Sequence, residues 1–321
     1  MQETPEHMEL RRTVANIVEN DINPFVDEWE EAEAIPLHDL LKKMGQAGIL
    51  GISKPTEFGG MALDYSYEIV FAEEMGKVKA QGVSTAVGVQ TNMSTPALAQ
   101  YGSDELRQEF LAPAIAGEMI GCIGVTEEGS GSDVSSVRSF ARKDGADYVI
   151  SGNKMFITNS IQADWMCMLC NTDEDNGPHR NKTLIMVPLN DPAVSRSQLK
   201  KLGLHCSDTG HLHFDEVRVP QRYRIGEEGM GFKYQMEQFQ EERMFSVART
   251  CTALEMALEE TIEYTRQRIA FGRTVLDNQV MHYKMADIQS QIEAARALLY
   301  RAVDIYTAGG EVTKLASMAK Y

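Results

Sequence analysis

The chain has 321 residues, 43% hydrophobic and 24% charged, with a mean hydropathy of −0.29. That length holds two or three packed units, and the absence of any apolar run near the roughly 20 residues needed to cross a bilayer excludes membrane insertion and points to a soluble globular class. Lys and Arg total 31 against 47 Asp and Glu, a net charge of −16; this field repels phosphate backbones and argues against nucleic acid as a partner, while leaving room for a locally positive cleft.

The opening MQETPEHMELRRTV has acidic residues and no apolar stretch, unlike a secretory signal or an Arg-rich transit peptide. Thr4 followed by Pro5 is a helix-start signal, with Leu10, Val14 and Ile17 at helical spacing and Pro24 expected to end the helix. Pro36 opens a second helix with Leu37, Leu40, Leu41 and Met44 on one face. Further helices are predicted at 65–76 and 104–111, the second with Ser103 as N-cap. Residues 1–118 therefore read as an all-α domain.

From 119 to 222 the pattern changes to short strands bounded by turn signals. Strands are predicted at Val137–Arg142, Tyr148–Ile150, Met155–Thr158, Trp165–Leu169, Thr183–Val187 and Leu212–Phe214, with Asp144-Gly145 and Ser151-Gly152-Asn153 as turns. This is a barrel-like antiparallel β-domain. Residues 223–321 return to the helical period, and Ile288, Ile292, Ala295, Leu299 and Ala302 form an apolar seam that needs a partner. The final KLASMAKY has helix-forming composition without a breaker, so the C-terminal bundle is expected to be incomplete. The class is α+β and multi-domain.

The five cysteines are too few and of the wrong parity for a disulfide framework, and Cys167 and Cys170 fall in an apolar strand, which favours buried thiols over a metal or redox pair. His211 and His213 share a strand face, but no third ligand lies nearby in sequence, so no metal site is expected.

Two segments carry chemistry. GVTEEGSGSDVSS (124–136) combines glycines, which admit a ligand close to the backbone, with the hydroxyls of Thr126 and Ser132; it suits a flat polar cofactor, or is a Ser/Gly surface turn. It is not a dinucleotide fingerprint, because no strand–turn–helix surrounds it. QEERMF (240–245) places carboxylates beside apolar residues on a predicted helix, where desolvation would strengthen one as a base; charges on a helix also make an ordinary solvated face.

The motifs in order resemble the acyl-CoA dehydrogenase family: GILGISKPTEFGGMALDY (48–65), the flavin signature met by Thr126, Glu127, Gly131, Ser132 and Asp133, KMFITN (154–159), KLGLHCSDT (201–209), FDEVRVP (214–220), GEEGMGF (226–232) and RQRIAFGRTVLDNQ (266–279). The stretch PHRNKTLIMVP (178–188) is most similar to citronellyl-CoA dehydrogenase-like proteins, and the placement of Glu241-Glu242-Arg243 resembles that of long- and branched-chain members. The resemblance implies FAD as cofactor, with Val125, Thr126, Gly131, Ser132, Phe156 and Thr158 around it, Ser132 and Arg243 toward the substrate, and Arg268, Phe271 and Gln279 reaching FAD across a dimer contact. Phe156 stands where many relatives have Trp, and Ala270 where Thr is frequent.

The reaction so implied is α,β-dehydrogenation of an acyl-CoA thioester to a trans-2-enoyl-CoA, with electrons passed to an electron-transfer flavoprotein. Glu242, immediately before Arg243, matches one of the family's two positions for the catalytic base, and Glu241 lies about 100° around the helix from it. An acyl-CoA oxidase, or a non-catalytic flavin- or acyl-CoA-binding form, are the alternatives. The resemblance also implies a homo-oligomer, a dimer of dimers when further C-terminal helices are present. The compartment would be the mitochondrial matrix in a eukaryote or the cytoplasm in a bacterium. The polar run Gln90-Thr91-Asn92 is read as a hint of an unusual acyl group.

Overall fold

A computed structural model describes residues 1–321. The order is helical, then β, then helical, an α+β arrangement. By contacts the chain forms two units, one of residues 1–20, 64–79 and 243–321, the other of 21–63 and 80–242.

In the first unit the helix Pro5–Ile17 is opened by a capping box between Thr4 and His7, with Pro5 in the first turn where its missing N–H costs nothing. It packs on Tyr65–Met75, and Gln279–Thr307 packs on that same helix and on Thr313–Lys320. Val14, Ile69, Val70, Phe71, Phe245, Leu299 and Val303 are fully enclosed. Charges at the helix interface are paired. Arg11 bridges Glu3, Glu73 and Glu74, the Tyr300 hydroxyl donates to Glu73 at 2.6 Å, and Arg296 forms a two-pronged pair with Glu255. Of the predicted seam, Ile292, Leu299 and Ala302 are buried while Ile288 is 42% exposed.

The second unit holds an eight-stranded sheet: β1 (Gly121–Gly124), β2 (Phe140–Asp144), β3 (Asp147–Thr158), β4 (Trp165–Asn171), β5 (Lys182–Pro188), β6 (Val194–Gln198), β7 (Thr209–Pro220) and β8 (Arg224–Ile225). The order is β6-β7-β3-β2-β4-β5-β8, with β1 on β4. Most pairs are antiparallel as expected, but β1 runs parallel to β4 and β2 meets β4 in parallel at Phe140 and Asn171. The long excursion between β1 and β4 returns the chain in the same direction, which a hairpin cannot do.

Several boundaries differ from the sequence expectation. The predicted turn at Ser151-Gly152-Asn153 is a bulge inside the twelve-residue β3, where the register with β7 shifts and Gly152 takes φ +147. β2 begins at Phe140 rather than Val137, because the N–H groups of Arg138 and Ser139 go to the Glu127 carboxylate instead of a neighbouring strand. Pro24 does not end the first helical run: a π-helical turn (Val18–Ile22) and a 3₁₀ turn (Asn23–Phe25) carry the chain into Val26–Glu31. Helical segments at Gln81–Ser94 and Pro96–Tyr101 were not expected.

Candidate active site

Between β1 and β2, Glu127 and Ser130 exchange main-chain bonds in both directions, at 2.9 and 3.0 Å, and pinch the loop into a tight turn. The Ser130 hydroxyl donates to the Asp133 carbonyl, and the Asp133 carboxylate accepts from the amide and hydroxyl of Ser135. Gly131 and Ser132 are left exposed, and a Cβ placed on Gly131 would meet nothing within 4 Å. β3 forms the adjacent wall. The Met155 amide donates to the Thr126 carbonyl at 2.9 Å. A second register shift between Lys154 and Ile157 puts Phe156 at φ +61, strained for a bulky residue, with its ring 67% exposed. Ile157 and Thr158 rejoin the ladder against Gly210 and Thr209.

The helix starting at Gly231 closes the third side. Gln238 anchors it, accepting from the Ala97 amide at 2.9 Å and donating to the Met93 carbonyl. Phe239 and Glu242, three residues apart, share a face. Val125, Thr126, Gly131, Ser132, Phe156, Thr158 and Glu242 together line one pocket of about 360 Å³, whereas Glu241 is not among its lining residues. The pocket therefore joins hydroxyls, an exposed aromatic ring, an open glycine loop and a single carboxylate.

Models of the acyl-CoA dehydrogenase N-terminal, middle and C-terminal domains match residues 4–118, 122–217 and 229–321. An acyl-CoA dehydrogenase of Bacillus subtilis (strain 168) is 34% identical over 321 residues, 100% of this chain and 84% of that relative. The chain belongs to the acyl-CoA dehydrogenase family. Among solved structures, an acyl-CoA dehydrogenase from Geobacillus kaustophilus superposes with a TM-score of 0.94 at 34% identity, covering 99% of this chain and 83% of that one. A chain of the structure described as "Electron transferring flavoprotein of Acidaminococcus fermentans" does so with 0.92 at 32% identity, covering 99% and 83%. Members of the family are FAD-dependent oxidoreductases, and no helix of this one is long and apolar enough to cross a membrane.

The remaining expected site residues of this family member lie outside that pocket's lining. Arg243 follows Glu242 on the helix Gly231–Gln267 and is half-buried. Arg268 is exposed just before a small hairpin of β9 (Ile269–Ala270) and β10 (Arg273–Thr274), whose tip holds Phe271 fully exposed at φ +54. Gln279 opens the helix Gln279–Thr307, its amide donating to the Tyr283 hydroxyl at 3.2 Å.

Val89, Met93, Ile123 and Phe239 also line the pocket and were not foreseen. Phe239 could have been found, since it precedes Glu242 by one helical turn. Gln90, Thr91 and Asn92, between the lining residues Val89 and Met93, are not among its lining residues. They are buried, and Gln90 serves main-chain groups: it donates to the carbonyls of Ala114 and Met119 and accepts from the Gly121 amide. Cys167 and Cys170 are buried in β4, where desolvation pushes both thiols up to about 12, and His213 bonds Asn153.

Proposed function

We propose that this chain performs the α,β-dehydrogenation of an acyl-CoA thioester with Glu242 as the base, electrons leaving to an electron-transfer flavoprotein. The observation that carries the reading is the convergence of Glu242 with the Val125–Ser132 loop and the Phe156–Thr158 segment on one pocket. The residues suit FAD. Gly131 leaves open space at the loop, Phe156 offers a flat apolar face, and Thr126, Ser132 and Thr158 supply hydroxyls for ring heteroatoms or phosphate. When bound, FAD supplies the hydride acceptor for the β-carbon.

The chain's own part is to hold the acyl group and move one proton. The Glu242 carboxylate takes the α-proton, and the apolar side chains of Val89, Met93, Ile123 and Phe239 surround the acyl chain and keep water from that carboxylate. Ser132 and Arg243 are assigned to the CoA thioester, with Arg243 as an always-charged donor for its phosphate or carbonyl oxygens. Arg268, Phe271 and Gln279 are assigned to FAD held by a second copy, in a dimer that pairs again into a tetramer. The exposed ring at the hairpin tip supports that assignment.

The test is Glu242→Gln, with Glu241→Gln as control, followed by anaerobic stopped-flow bleaching of the flavin with straight and branched acyl-CoAs. A positioned general base contributes about 10²- to 10⁴-fold. Bleaching is expected to slow by that order in the first variant and to persist in the second, with FAD and acyl-CoA affinity kept in both. Near-normal bleaching by Glu242→Gln overturns the assignment.

A further inference from the structure

One buried charge pair stands directly behind the pocket and touches both of its walls. Lys154 is fully enclosed, yet its ammonium has three acceptors: the Val125 carbonyl at 3.1 Å, the Leu169 carbonyl at 2.8 Å and the Glu127 carboxylate at 2.8 Å. Three N–H donors meet three oxygens, which satisfies an ammonium completely. Glu127 is satisfied as well, taking the Arg138 amide at 2.6 Å on one oxygen, and the Ser139 amide at 3.0 Å together with Lys154 on the other. Burial alone would raise the pKa of this carboxyl, but the charge and hydrogen bond of Lys154, with the Arg138 amide and Ser139, outweigh it and hold it below the ordinary carboxylate range.

The position of the pair decides what it can do. Lys154 lies two residues before Phe156 and four before Thr158 on β3, while its ammonium grips the carbonyl of Val125, one residue before Thr126. The neighbouring Met155 amide binds the Thr126 carbonyl. The loop wall and the strand wall are thus tied through one side chain and one main-chain bond. The strained turn at Phe156 lies immediately beyond this tie, so any slack in it passes to the aromatic ring.

We propose that Lys154 and Glu127 are positioning residues that fix the separation of the Val125–Thr126 and Phe156–Thr158 walls, and through it the affinity and reduction potential of the flavin between them. This rests on the reading of the pocket as the flavin site. Neither residue lines the pocket, so their influence runs through the groups they hold. Removing the ammonium leaves two carbonyls without that donor and an enclosed carboxylate without its cation, which the loop relieves by shifting.

The experiment compares Lys154→Met, Glu127→Gln and Thr126→Ala in the FAD-loaded full-length protein. It measures FAD affinity per folded molecule, the flavin reduction potential and visible spectrum, and the melting temperature of the apoprotein. Hydrogen bonds to charged groups set the expected loss of FAD affinity at about 10- to 100-fold for Lys154→Met, with a shifted potential and a perturbed flavin band. Glu127→Gln keeps an acceptor for one amide and is expected to move potential and spectrum in the same direction by less, and it decides the matter should Lys154→Met fail to fold. A lowered melting temperature with wild-type affinity, potential and spectrum makes the pair merely structural and overturns the proposal, provided Thr126→Ala still weakens FAD. If Thr126→Ala also leaves the flavin untouched, the reading of the pocket falls and this proposal falls with it.

Discussion

Thr126 lines the pocket, and its carbonyl is committed to the Met155 amide. Ser132 stands exposed in the loop with no role in the sheet. Loss of one neutral hydrogen bond costs about 0.5–1.5 kcal/mol, so Thr126→Ala and Ser132→Ala are each expected to weaken FAD by roughly 2- to 10-fold without lowering the apoprotein's melting point. Titration of the apoprotein checks this, and unchanged affinity in both would remove them from the site. Glu127 adds a pH dependence. Its pKa is lower in the fold than the unfolded value near about 4.3. Its stabilisation is therefore complete above the unfolded value and lost as pH falls through the folded one. Glu127→Gln should flatten the loss of stability below about pH 4, seen by urea unfolding across that range; an unaltered acid limb would show the group is not the one titrating. That Glu242, Thr126 and Ser132 meet on one pocket could be anticipated, because the motif order names all three. The pairing of Glu127 could not, because its partner lies 27 residues away, on β3.

Among elements, the long regular helices and the β4 and β5 strands follow from local pattern: β4 and β5 are nearly continuous apolar runs, buried along their length. β6 was invisible, since Ser195, Ser197 and Gln198 are exposed polar residues and only Val194 and Arg196 are half-buried, so no apolar alternation marks it as a strand. β3 read as two strands because a glycine flanked by Ser and Asn looks like a turn, whereas the ladder to β7 carries the chain straight through it. Helix contacts were equally hidden. Gly76 ends the helix Tyr65–Met75 where a Cβ would lie 2.4 Å from the Arg249 carbonyl oxygen and 2.8 Å from the Thr252 Cβ, so the two backbones meet at a point that admits only hydrogen. Gly76→Ala is expected to destabilise the protein by roughly 1–3 kcal/mol, the ordinary cost of overpacking. Urea unfolding would measure it, and a neutral result would mean the helices separate freely there.

For the molecule as a whole, the helical–β–helical order was legible, but the grouping of the helices was not: Arg11 meets Glu73 and Glu74, and Glu73 meets Tyr300, across spans that no local periodicity encodes. Assembly belongs to this scale too. A net charge of −16 sets copies to repel one another, so an oligomer needs apolar contacts to offset it. The hairpin of β9 and β10 supplies a candidate, with Ile269 58% exposed and Phe271 fully exposed. Its backbone does not depend on the Phe271 ring: Ala270 pairs with Arg273, and Thr274 and Asp277 close a capping box behind it. Phe271→Asp removes the apolar tip and adds a like charge, and aspartate tolerates the left-handed φ at that position better than phenylalanine does. The variant is expected to keep its circular dichroism and melting behaviour, to lose mass by light scattering, and to release FAD on dilution at concentrations where the parent stays yellow. Because the cofactor is expected to span two copies, mass and bound flavin should fall together. A variant that keeps both at every dilution would place the interface elsewhere and leave the hairpin without a part in cofactor binding.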